Sequence, residues 1–165
     1  MAAIGDNGVS SVAELLADLL EARAEFVAAL DAVDPRLLTK PGAMGEWSVR
    51  ELIAHLGYWV GHAVEAIHAV EGGWAAEFEV GDREVDARNA TVARIARETD
   101  LATVRAREEA SFAALVERLE LLDPSLLDTR LAGWGTLGAG IREDGAVHYR
   151  EHVANLRALA KSDGA

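Results

Sequence analysis

The chain has 165 residues, half of them apolar and 27% charged, which suits one globular domain with a real core rather than a disordered segment. Its formal charge of −12, with only Lys40 and Lys161 as lysines and with dispersed arginines, predicts neither nucleic acid nor an anionic membrane as partner, since both need clustered positive charge. The absence of cysteine excludes disulfides, thiolate metal sites and a cysteine nucleophile.

Residues 1–10 carry neither a basic stretch nor an apolar core, so they do not read as a signal peptide. No apolar run approaches the ~18 residues of a membrane span. A cytoplasmic protein is the expectation. Ser11 with Glu14 forms a capping-box pattern. Val12, Leu15, Leu16, Leu19, Leu20, Phe26, Val27, Leu30 and Val33 follow at helical spacing, predicting a helix over 11–33 that Asp34-Pro35 stops. A loop with Pro41, Gly42 and Gly45 leads to a second capping box, Ser48 with Glu51. The next helix buries Leu52, Ile53, Leu56, Trp59, Val60, Ala63, Ile67 and Val70, with His55 on the same stripe, and ends at Gly72-Gly73. The linker to about Gly81 carries Trp74 and Phe78.

The region 86–122 reads as mostly helical, with Val92, Ile95, Val104, Phe112, Leu115, Val116, Leu119 and Leu122 as core candidates and a break at Thr99-Asp100. Asp86 and Asn89 are capping candidates for it. A glycine-rich passage, 133–140, opens the last helix, which is secure from Asp144 to Ala160. No sustained alternation predicts a strand. The expected architecture is an all-α four-helix bundle forming one domain over 1–165, with its core at about 12–160. A faint internal echo supports this: Phe26–Leu30, Asp34-Pro35 and Trp47 before one His-bearing helix, then Phe112–Leu115, Asp123-Pro124 and Trp134 before the other. Two packed hairpins of one kind would set the second helix beside the last, although shared helix-turn grammar produces the same pattern.

The chemistry lies in the histidines. His148 and His152, four residues apart, fall only about 40° apart on one helical face, together with Leu156 and Leu159. Two inward imidazoles on one helix chelate a metal if a third ligand arrives from elsewhere, and His55 is the candidate; a hydrogen-bonded core histidine is the plain alternative. Imidazole suits Zn, Ni, Cu, Co or Fe rather than Mg or Ca. Three protein ligands leave an open position for water or substrate. His62, two turns beyond His55, can be a fourth ligand, a proton donor or a polar residue at the mouth of the bundle. Trp59 and His62 are the candidates to contact substrate at the open face. The other tryptophans, Trp47, Trp74 and Trp134, read as structural, Glu151 and His68 as surface, and Tyr58 and Tyr149 as acids without supporting geometry.

The run Gly45-Glu46-Trp47-Ser48-Val49-Arg50-Glu51-Leu52-Ile53-Ala54-His55-Leu56, taken with His148-Tyr149-Arg150-Glu151-His152, resembles the DinB-like superfamily over about 12–160. That grouping includes YfiT-type hydrolases proposed to use a metal, mycothiol-dependent maleylpyruvate isomerases, and bacillithiol and glutathione S-transferase relatives. The stretch around Gly45 to His55 is also similar to the ClbS/DfsB self-protection branch. The resemblance implies an up-down-down-up bundle, a divalent metal on His55, His148 and His152, and dimerisation. Zn or Ni is the first expectation for the metal, then Fe or Co.

Two functions follow as expectations. One is an enzyme that directs water, or a low-molecular-weight thiol cosubstrate, at an electrophilic small-molecule substrate; with no cysteine, it must borrow its nucleophile. The other is a non-catalytic bundle that sequesters a small molecule.

Overall fold

Two capping boxes decide where the first two long helices begin. In the computed structural model, which describes residues 11–78 and 82–162, the Ser11 hydroxyl accepts from the Glu14 amide while the Glu14 carboxylate accepts from the Ser11 amide. From there α1 runs Val12–Asp31. Ser48 and Glu51 repeat the arrangement at the head of α2, Val49–Glu71. This second box is buried, and Arg97 donates to the same Glu51 carboxylate at 2.6 Å. Ser48→Ala is expected to cost about 1–2 kcal/mol, lowering Tm by roughly 2–8 °C in a thermal melt.

The break at Thr99-Asp100 is real: α3 spans Asp82–Arg97, and Asp100 caps α4, Leu101–Leu121, by accepting from the Thr103 amide. Asp123-Pro124 stops α4, as expected. The last helix begins earlier than its glycines predict. Thr136 caps α5, Leu137–Arg142, which passes through a π turn, Glu143–Val147, into α6, His148–Ser162. Gly140 is required there by packing. A Cβ at that position would fall 1.9 Å from the Trp134 ring, which lies against the helix.

The core runs between α1, α2, α4 and the last helix, and the fold is all-α, a helical bundle. α2 packs tightly on α4, where a Cβ on Gly57 would come within 2.9 Å of the Glu108 Cα. The backbones of α2 and the last helix approach at α5 and the π turn, with His55 of α2 reaching His148 and His152 in the first turns of α6, while α6 lies along α1. The second helix is therefore beside the last one only at this one end.

Some expectations need correcting. A two-residue antiparallel ladder joins β1, Arg130–Leu131, to β2, Gly135–Thr136, too short for alternation to announce it. Ile95 and Leu20, expected in the core, are exposed, because α3 and α1 each turn that edge to solvent. Asn89 caps nothing; it sits mid-way along α3, and Asp86 is exposed on the same helix. Residues 1–10 and Gly81 lie outside the described residues. No described helix is long and apolar enough to cross a membrane.

Candidate metal centre

The second capping box fixes the phase of α2, and that phase turns His55 inward, between Leu52 and Trp59. The π turn ends at Val147, so His148 opens α6 and His152 follows one turn later. The three residues meet. Their ligand nitrogens all lie within 4.8 Å of one another. The Nε2 atoms of His55 and His148 are 2.7 Å apart, with the two rings nearly perpendicular at 87°. The His152 ring centroid lies 5.8 Å from that of His55 and 5.5 Å from that of His148.

Electrostatics favour the neutral forms. Burial pushes the His55 imidazole down to about 4, with the nearby His152 adding to the shift. Burial, then His55 and His152, pushes His148 down to about 3, and burial lowers His152 as well. At pH 7 all three hold lone pairs. Two neutral nitrogens 2.7 Å apart repel unless a proton or a cation lies between them, so the donor set fits a divalent transition ion. The outer support is weak at one ligand, since the buried Nδ1 of His55 makes no well-formed hydrogen bond among the described residues, with Asn89 as its polar neighbour.

The same shifts set a pH dependence. The unfolded chain takes up protons at these histidines near pH 6.5, whereas folded His55 and His148 do so only at about 4 and about 3. Stability therefore falls as pH drops through that window, by about 1 kcal/mol per pH unit for each histidine. Melting the metal-free protein between pH 7 and 4 checks this; a flat Tm would contradict it.

Two clefts flank the triad. One, of about 310 Å³, is lined by His55, Trp59, Asn89, Trp134, Asp144 and His148, among others. The other, of about 520 Å³, reaches His152 past Met44, Trp47 and Leu52. Trp59 is buried with its indole N–H donating to the Asn89 carboxamide oxygen at 2.9 Å, which holds the ring as a wall of the first cleft. Trp47, expected to be structural, is half-buried with its ring 5.0 Å from that of His55. Trp74, expected likewise, is 45% exposed.

His62 is not at the mouth of the bundle. It is 2% exposed, ringed by Trp59, Phe78 and Trp134, and its Nδ1 lies 2.8 Å from an Asp144 carboxylate oxygen. Asp144, buried and raised in pKa mainly by that burial, is the polar residue that reaches the cleft in its place. Sequence reasoning missed Asp144, although it precedes His148 by one turn on the triad's own helix. Asn89 carried no such signal, because its partner is on another helix. Tyr149 is no free acid: it is buried, donates to Glu108, and burial with Glu108 beside it drives its pKa up. His68 and Glu151 are exposed, as expected.

A helical bundle with a three-histidine cluster between its second and last helices is thus the class of protein that fold and site define. The chain belongs to the DinB superfamily, whose family profile matches residues 18–155. No curated protein matches it in sequence. Among solved structures it is similar to an uncharacterised protein from Escherichia coli UTI89, with a TM-score of 0.80 at 19% identity over 93% of this chain and 95% of that one. It is also similar to the colibactin self-resistance protein ClbS in complex with a dsDNA, with a TM-score of 0.75 at 21% identity over 92% of this chain and 96% of that one. The second likeness overturns the exclusion of nucleic acid drawn from net charge. A protein of this fold is seen holding duplex DNA, and a whole-chain charge sum says nothing about one local surface.

Proposed function

We propose that this protein is a divalent-metal-dependent enzyme acting on an electrophilic small molecule, with His55, His148 and His152 as the metal ligands. The observation that carries the reading is the convergence of three neutral imidazole nitrogens within 4.8 Å between two clefts. When bound, Zn or Ni, or else Fe or Co, supplies Lewis acidity toward a carbonyl, a water or a thiol. The chain's own residues do the rest. Trp59 and Trp134 line the first cleft, and Asn89 fixes the Trp59 ring. His62 holds Asp144 from behind, so that a carboxylate stands ready at the cleft to accept a proton from the nucleophile. The nucleophile itself is borrowed, since the chain has no cysteine: water for hydrolysis, or a low-molecular-weight thiol for S-transfer.

The test uses untagged protein loaded with Zn or Ni, given 1-chloro-2,4-dinitrobenzene with a thiol, and p-nitrophenyl acetate without one. Turnover that a chelator abolishes supports the enzyme, and the thiol requirement tells transfer from hydrolysis. Turnover unchanged by chelation overturns it. The likeness to ClbS, described as a self-resistance protein, supports a second reading: a bundle that sequesters a reactive molecule. On that reading, binding survives both chelation and His148→Ala. Duplex DNA belongs among the ligands assayed, because the ClbS structure contains it.

A further inference from the structure

The two clefts that meet at the triad differ in charge. The larger one, around Trp47 and His152, has no carboxylate, arginine or lysine among its described lining residues. The smaller one carries three carboxylates, Glu143, Asp144 and Glu151, and no arginine or lysine among its described lining residues. Asp144 is matched by His62 behind it. Glu143 and Glu151 are exposed, and none of the described ion pairs involves either. Glu143 also lies close enough to Asp144 to oppose its ionisation. The indoles of Trp59 and Trp134 stand on the same cleft. Its inner end is polar as well: His55 and Asn89 both line it, and the His55 Nδ1 makes no well-formed hydrogen bond among the described residues.

We propose that the smaller cleft selects a ligand bearing an ammonium group, held by Glu143 and Glu151 against the Trp59 and Trp134 rings, with an oxygen or sulfur donor at its other end facing the histidines. This deepens the enzyme reading above and rests on it: the substrate class becomes an amine-bearing electrophile or an aminothiol. A carboxylate-rich ligand is rejected, because its charge would meet two carboxylates that none of the described ion pairs compensates. A cation on an indole face gains in addition from the ring quadrupole. His55, His148 and His152 would hold an ion whose Lewis acidity suits the electron-rich end of the ligand, and the two glutamates take the ammonium end.

Three near-isosteric probes test it by ¹⁵N NMR of the Trp59 and Trp134 indole N–H signals: benzylammonium, benzyl alcohol and benzoate. They are titrated into the protein as purified and again after chelation. The expected ranking in metal-free protein is benzylammonium about tenfold tighter than benzyl alcohol, with benzoate weaker still. The Glu143→Gln/Glu151→Gln variant, both positions exposed and therefore tolerant, should lose the preference, and high salt should shrink it. Benzoate binding as tightly as benzylammonium, a ranking that survives the double variant, or no shift with benzylammonium at millimolar concentration would each overturn the proposal. Metal analysis judges the triad and the metal-free ranking judges the cleft, so either can fail alone.

Discussion

His148→Ala should purify with less than a tenth of the metal per chain that the parent protein holds, and its titrated affinity for Zn or Ni should fall by at least ~100-fold. Removing a group that merely supports a ligand typically costs 10–100-fold, and His148 would be a ligand itself. It is also the central member of the cluster, with its Nε2 2.7 Å from that of His55 and its ring one turn from His152. Without it the two remaining imidazoles, on different helices, are a weak pair. The fold should survive. His148 is half-buried at the edge of the core, and deleting an imidazole pushed down to about 3 makes the metal-free protein less sensitive to acid. Elemental analysis beside a circular-dichroism melt measures both effects. Glu151→Ala, exposed on the same helix, serves as the control that keeps its metal. Full metal content in His148→Ala would sink the three-histidine site.

The second large effect lies beneath the site and concerns stability alone. Glu108, 4% exposed on α4, accepts two hydrogen bonds from Arg23 of α1, at 3.1 and 2.9 Å, and one from the Tyr149 hydroxyl of α6. The Arg23 guanidinium also lies 4.3 Å from the centre of the Phe112 ring. Arg23→Leu removes the charge that compensates a buried carboxylate, a loss that costs about 3–5 kcal/mol where water is excluded. The Arg23 side chain is 20% exposed, so some water enters and about 3 kcal/mol is the expected cost. Tm should fall by roughly 6–12 °C. Tyr149→Phe, which deletes one of three donors, should cost only about 1–2 kcal/mol. Arg23→Leu/Glu108→Leu should recover much of the loss, since no charge is then buried alone. Metal content should be unchanged in all of them. A drop in Tm under 2 °C for Arg23→Leu would mean that water compensates the Glu108 carboxylate in the folded protein.

Local rules made most of the framework legible. Ser11 with Glu14 and Ser48 with Glu51 are self-contained signals, because each side chain finds its partner three residues away. Asp34-Pro35 and Asp123-Pro124 end helices by removing a backbone donor, whatever surrounds them. The triad was readable for the same kind of reason: His148 and His152 share a face by helix periodicity alone, and His55 sits on an apolar stripe that has to be buried. The family resemblance then joined the two helices.

What failed was whatever depends on a partner distant in sequence. His62 looked like a residue at a rim because its partner, Asp144, is 82 residues away. Asn89 looked like a cap because nothing in α3 announces the Trp59 indole. The glycines at 138 and 140 argue against helix by propensity, but at Gly140 the Trp134 ring occupies the space a side chain would need. Net charge misled most widely, since a sum over the chain carries no information on where charges lie. By itself the sequence determined the helices, their ends and which faces are apolar, since those follow from interactions within one or two turns. Only the tertiary structure decided that Glu143 and Glu151 share a cleft with two indoles, and that Asp144 rather than His62 reaches it. Those placements depend on how helices pack and on a π turn that sets where the last one points its side chains.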